Sequence, residues 1–274
     1  MSLFGAHIQS DIDDLINNTV IMKNNKCNIV QLFTNKFSKK AYEKYKEFGN
    51  FINVNNIKCV IHSSYTINIS RNWDHHSWWL KQFILELEIA NMIGAIGVVI
   101  HIGKQKDLPI EVAINNMYTS IEHVLSKTKH LNTMILIETS SGQGSEMLYN
   151  LDDFSIFYNR LMRLDIYKHK LGICVDTCHI YAAGYNIKGE KNIIEFIKYF
   201  DKIIGLSHIK LIHLNDSKKS IGSKIDRHDG FETGQIGLKS IKLIYKFFNK
   251  LCIPIILETP SVSIINDIHL LLLV

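Results

Sequence analysis

The chain has 274 residues, 46% hydrophobic and 21% charged, with only three prolines and a formal net charge of +5. This balance supports a sizeable core and, with no Pro/Gly/Ser linker or low-complexity tract, one domain over residues 1–274. No apolar run nears the roughly 20 residues that span a bilayer, the N-terminus lacks a signal-peptide pattern, and the five cysteines form no CxxC; an intracellular, reducing setting without a membrane partner is expected.

In chain order, LFGAHI (3–8) reads as a first strand, and Asp11 as the N-cap of a helix to about residue 25. NIVQLFT (28–34) precedes a charged helical stretch over 39–56. KCVIHSS (58–64) precedes a helix over 76–94, where Trp79, Phe83, Leu87 and Ala90 recur at helical spacing and belong to a core face. IGVVIHIG (96–103) precedes a helix over 109–127, with Pro109 suited to its first turn. TMILIETS (133–140) precedes 151–164, and LGICVDT (171–177) precedes 191–202. IKLIHL (209–214) leads through a polar run, 215–224, expected to be a surface loop, to a helix over 238–250; IPIILETP (253–260) leads to a final helix. Eight alternating units predict a closed (β/α)8 TIM barrel, because each parallel return needs a crossover helix and eight strands enclose a side-chain-filled interior. The alternative, an open doubly wound sheet, lacks any Gly-rich phosphate turn.

The strand ends repeat one chemistry: His62, His101, Glu138, Asp176, His213 and Glu258. In a barrel these ends meet at the C-terminal rim, where such folds keep their active sites. A lone histidine on an apolar strand is more often a core residue than a ligand, but Glu138 and Glu258 ending apolar runs are hard to explain as packing. Read as a loop, DTCH adds His179, and the loop after His213 adds Asp226 and His228, spaced to point the same way in an extended segment. Four carboxylates at one mouth repel one another unless cations neutralise them. Five histidines with no cysteine favour zinc over manganese or iron, and nine ligands exceed what one ion uses. Clustered ions suit phosphate ester hydrolysis. Of the other histidines, His7 ends strand 1 and is read as structural, and the rest as surface.

HSSYTIN, HIG, ETSSGQGSEM, GICVDTCHIYAAGY, HLND through DRHDGFETGQIG, and LETP closely resemble the endonuclease IV family of apurinic/apyrimidinic (AP) DNA repair enzymes, over essentially the whole chain. The resemblance implies three zinc ions per chain: His62 and His101 on one, Glu138 bridging it to a second that also takes Asp176, His213 and Glu258, and His179, Asp226 and His228 on the third. It implies a double-stranded DNA partner containing abasic sites. The phosphodiester on their 5′ side is hydrolysed to a 3′-hydroxyl and a 5′-deoxyribose phosphate, with Glu138 as the catalytic carboxylate that positions the attacking hydroxide.

Tyr65 matches a family tyrosine in the DNA groove; on sequence alone, packing on Trp73 is an equal reading. Lys218, Lys219, Lys224 and Arg227 lie beside the third ligand group, where phosphate contacts are wanted. The chain departs from the family after strand 2: LFTNKFSKK lacks the DNA-wedging arginine, leaving Lys36 or Phe37 as substitutes. A monomer is the default. The competing readings are a metal-dependent sugar isomerase or epimerase of the same fold, which needs neither the DxH loop pair nor its basic neighbours, and a non-catalytic DNA-binding module, which needs no nine-ligand set.

Overall fold

The computed structural model describes residues 2–8, 11–34 and 39–273. Its elements run β1 (Phe4–His7), α1 (Leu15–Asn24), β2 (Ile29–Phe33), α2 (Lys39–Val54), β3 (Lys58–His62), α3 (Trp78–Ile93), β4 (Gly97–His101), α4 (Ile110–Lys127), β5 (Met134–Glu138), α5 (Leu151–Met162), β6 (Leu171–Asp176), α6 (Thr177–Ala183), α7 (Glu190–Ile203), β7 (Ile209–His213), β8 (Asp216–Ser217), β9 (His228–Asp229), α8 (Leu238–Lys250), β10 (Ile255–Leu257) and α9 (Ile264–Leu272). Eight strands close in the order β1-β10-β7-β6-β5-β4-β3-β2, all parallel, so the chain is a TIM barrel. No helix among the described residues is long and apolar enough to cross a membrane.

The strand period of two explains how this barrel carries a polar mouth. Ile29, Val60, Val99, Leu136, Cys174, Leu211 and Ile256 form one cluster that plugs the interior. Two residues further along each strand, on the same face, stand Gln31, His62, His101, Glu138, Asp176, His213 and Glu258. On β1 the matching pair is Gly5 and His7. Gly5 is required there, because a Cβ would sit 1.7 Å from the carbonyl oxygen of Ile29. The other strand face packs the helices, through Phe48, Phe83, Phe154 and Phe200 among others.

Four expectations are corrected. Residues 215–224 are not all surface: Asn215, Asp216 and Ser217 are buried, and exposure begins at Lys218. Their polarity is consumed internally, since the Asp216 carboxylate accepts the main-chain N–H groups of Ser217 (2.7 Å), Ile236 (2.8 Å) and Gly237 (2.8 Å). Second, the sequence DTCH is the start of a short helix, α6, rather than a loop; the Asp176 side chain caps it by accepting the His179 N–H at 2.8 Å. Third, Asp11 is not the cap of α1, which begins at Leu15 with Asp14 before it. Fourth, Pro109 is the residue before α4 rather than in its first turn.

Candidate metal centre

All nine sequence-predicted ligands converge on the mouth of the barrel. β3, β4, β5, β6 and β7 deliver His62, His101, Glu138, Asp176 and His213 from their last residues, and Glu258 follows β10 directly. His179 comes from the first turn of α6, while Asp226 and His228 return on the loop that β8 and β9 close as a small antiparallel pair.

The imidazoles are oriented. The Nδ1–H of His62 donates to the Ser63 carbonyl (2.9 Å), that of His179 to Thr139 (2.7 Å) and that of His228 to Glu258 (3.1 Å). Each Nε2 then faces a carboxylate: His62 to Glu138 Oε2 at 3.4 Å, His179 to Asp226 Oδ2 at 3.2 Å, and His228 to Asp226 Oδ1 at 3.2 Å and Asp176 Oδ2 at 3.6 Å. Spending one ring nitrogen on a fixed acceptor to present the other is how proteins hold metal-binding histidines. His101 Nδ1 stands 3.4 Å from Glu138 Oε2. Both that oxygen and His101 Nε2 are buried with no hydrogen-bond partner among the described residues. Such orphaned donors and acceptors are costly unless something else satisfies them.

Electrostatics point the same way. Burial pushes the Asp176 carboxyl up. For Glu138 burial acts in the same sense, but His101 and His213 outweigh it and hold the group well below the usual carboxylate range. Burial alone would lower His62 and His228; the Glu138 carboxylate beside His62 and the Asp226 and Asp176 carboxylates beside His228 instead raise each to about 9. The carboxylates thus draw positive charge into the pocket. Donor atoms of His62, His101 and Glu138 lie within 4.8 Å of one another, as do those of His179, Asp226 and His228. Cys174 and Cys178 approach the same pocket, but burial raises both thiols, Cys178 to about 12, which leaves an oxygen and nitrogen donor set. The residues fit divalent cations of the zinc type.

Tyr65 is 67% exposed and packs on Phe33 (5.1 Å between ring centroids), His101 (5.3 Å) and His62 (5.5 Å), rather than on Trp73. Clefts of about 360 Å³ flank it on both sides, one lined by His7, Phe33 and Glu258, the other by His101, Lys104 and Arg227. Lys218, Lys219, Lys224 and Arg227 are exposed on the loop between β8 and β9. Lys224 is engaged with the Tyr149 hydroxyl at 2.9 Å, and Arg227 with the Asp226 carbonyl at 2.6 Å. Lys36 and Phe37 lie outside the described residues.

Sequence reasoning missed two carboxamides. Gln31 and Asn215 are fully buried among the nine: Asn215 Nδ2 donates to Asp176 Oδ2 (2.7 Å) and Glu258 Oε2 (3.0 Å), and Gln31 Nε2 to Glu258 Oε1 (2.6 Å). Gln31 carried a signal, as the one polar residue inside the apolar run IVQLF, two residues past an interior isoleucine.

Residues 21–269 match a family model described as a xylose isomerase-like TIM barrel. An endonuclease 4 of Acanthamoeba polyphaga mimivirus is 37% identical over 253 residues, 87% of this chain and 79% of that protein. The chain belongs to the endonuclease IV family. Within that family, the endonuclease 4 of Aquifex aeolicus is 29% identical over 285 residues, covering 98% of this chain and 96% of the relative. Among solved structures, endonuclease IV from Thermus thermophilus has a TM-score of 0.78 at 20% identity, over 99% of this chain and 98% of that one. A 3-keto-D-glucoside 4-epimerase from E. coli reaches 0.68 at 13% identity, over the whole of both chains. At such identities the likeness shows the fold alone, so the endonuclease IV assignment rests on the sequence relatives.

Proposed function

We propose that this endonuclease IV family member hydrolyses the phosphodiester on the 5′ side of abasic nucleotides in duplex DNA, leaving a 3′-hydroxyl and a 5′-deoxyribose phosphate, with three zinc ions per chain. The observation that carries the reading is the inward presentation of nine ligands around orphaned, buried donor and acceptor atoms. His62, His101 and Glu138 would hold one cation, Glu138 with Asp176, His213 and Glu258 a second, and His179, Asp226 and His228 a third. When bound, such cations bring a water's pKa towards neutrality and neutralise charge on the phosphate and the departing oxygen.

The chain's own residues do the rest. Glu138 has Oε1 hydrogen-bonded to His213 at 2.8 Å, which fixes the group, and leaves Oε2 between His62 and His101 without a hydrogen bond, where it can orient the attacking water. No side chain is needed as a covalent nucleophile. Tyr65 projects from the mouth as a platform for the DNA beside the lesion, and Lys218, Lys219, Lys224 and Arg227 face backbone phosphates. Lys36 or Phe37 remains the proposed substitute for the missing wedge arginine. An abasic nucleotide is cheap to extrude because it has no base to unstack.

The test is incision of an end-labelled duplex carrying one tetrahydrofuran abasic analogue, before and after chelation, alongside turnover of free aldoses and ketoses. Incision lost on chelation and restored by zinc is expected, with close to three zinc ions per chain by elemental analysis. Sugar turnover without incision, or a metal content below one per chain, would overturn the reading.

A further inference from the structure

His213, like His101, turns Nδ1 to Glu138 and differs from the other three histidines of the centre. His62, His179 and His228 each spend Nδ1–H on a main-chain carbonyl and turn Nε2 inward. His213 is reversed: Nδ1 faces Glu138 Oε1 at 2.8 Å, Glu258 Oε2 at 3.3 Å and Asp176 Oδ2 at 3.9 Å, while Nε2 meets the side-chain oxygen of Gln31 at 2.8 Å. A carboxamide oxygen only accepts, so His213 Nε2 carries the proton.

The other end of the same amide settles which way Gln31 lies. Its Nε2 is 2.6 Å from Glu258 Oε1 and 3.2 Å from His7 Nδ1, so both amide hydrogens have acceptors. Burial lowers His7 to about 4, which keeps that ring neutral and able to accept. Flipping the amide would set its oxygen 2.6 Å from the Glu258 carboxylate, acceptor against acceptor, so the NH2 lies on Glu258 and the oxygen on His213. One buried side chain, 0% exposed, therefore fixes an imidazole and a carboxylate from two other strands.

We infer that Gln31 is a positioning residue of the metal centre: its carboxamide holds His213 in the Nε2–H tautomer, so that His213 ligates through Nδ1, and anchors Glu258 by Oε1, so that Oε2 is turned to the centre beside His213 Nδ1. The inference rests on the metal reading above for its second half; the contact between His213 Nε2 and the Gln31 oxygen is present without metal. The same amide explains why β2, which supplies no ligand, places a polar residue in the barrel mouth. His7 stands behind Gln31 as the neutral acceptor that completes its bonding.

Two variants separate the two roles. Gln31→Met keeps the volume and removes donor and acceptor; Gln31→Glu keeps an acceptor for His213 but sets a carboxylate against Glu258. Histidine ring ¹⁵N–¹H correlation spectra of the zinc-loaded protein report the tautomer, and those of the metal-free protein report whether Nε2 is protonated. Competition with a chromogenic chelator reports zinc affinity, and circular dichroism reports folding. The wild type is expected to show His213 as Nε2–H. Gln31→Met should lose that signature and weaken one zinc site by about 10- to 100-fold, the usual effect of removing a partner of a metal ligand. Gln31→Glu should keep the tautomer while still weakening zinc, a split that a merely structural role would not produce. An Nδ1–H tautomer in the wild type, or a folded Gln31→Met with unchanged His213 signals and unchanged zinc affinity, overturns the inference. A wild type that binds no zinc overturns the metal reading instead, while an Nε2 without a proton in the metal-free spectra overturns the part assigned to Gln31.

Discussion

At the scale of single residues, the centre depends on side chains whose second contacts are fixed. Asp226 shows this: its main-chain N–H donates to Gln143 Oε1 at 3.1 Å, and its carboxylate spans His179 and His228, whose hydrogen bonds overcome burial and hold it far below the usual range. Tyr65 is the opposite case, a large, mostly exposed ring resting on the rings of Phe33, His62 and His101. An aromatic so placed contributes to its partner and little to the fold, and stacking of this kind is worth about 1–3 kcal/mol. Tyr65→Ala is therefore expected to weaken binding to an abasic duplex by roughly tenfold, read by fluorescence anisotropy, with zinc content unchanged. Equal affinity in the variant would remove Tyr65 from the DNA surface.

At the scale of elements, buried carboxylates outside the centre tie loops to the barrel. Glu86 of α3 is fully buried, and burial raises its pKa. It accepts the hydroxyls of Ser63 (2.6 Å) and Thr34 (3.2 Å), the Ser64 N–H (3.4 Å) and the Gln82 amide (3.2 Å), so it joins the ends of β2 and β3 to α3. Glu86→Ala leaves those groups unpaired; a loss of about 1–3 kcal/mol is expected, seen as a calorimetric midpoint several degrees lower. A midpoint equal to that of the parent would show that water replaces the carboxylate at no cost. Asp216 does the same for the loop carrying Asp226 and His228, and Gly234 passes so near that a Cβ would fall 2.1 Å from the Asp216 Cγ. Asp216→Ala should speed amide exchange at Ser217, Ile236 and Gly237 while leaving β3 to β6 protected, a contrast that hydrogen-exchange mass spectrometry reads directly. These two devices also mark where the sequence stops being readable. The barrel was legible because the covered strands are apolar runs, most with an imidazole or carboxylate at the end, and the ligand candidates were legible because such groups in that position have no packing role. Asn215 to Ser217 were misread because polarity stands for exposure only when the groups cannot pair internally. The helix α6 was missed because its cap, Asp176, had already been counted as a ligand and its seven residues show no period.

At the scale of the whole molecule, the pocket's acidity couples metal, protons and stability. In the metal-free protein His62 and His228 have folded values of about 9 against an ordinary value of 6.5, because nearby carboxylates outweigh burial. A raised histidine contributes stability that is fully present below the unfolded value and is lost as pH rises through the folded one. For these two groups the window is about 6.5 to 9. Bound cations need unprotonated imidazoles, so loading expels the same protons, and its benefit grows over the window in which the metal-free protein weakens. Thermal midpoints of chelated and zinc-loaded protein at pH 6.5, 7.5 and 8.5 should therefore diverge as pH rises. Titration calorimetry at pH 7.5 in two buffers of different ionisation heat should find more than one proton released per chain. A constant gap between the midpoints, with no proton release, would mean that the carboxylates of the barrel mouth do not hold these imidazoles charged, and that cations enter a pocket already neutral.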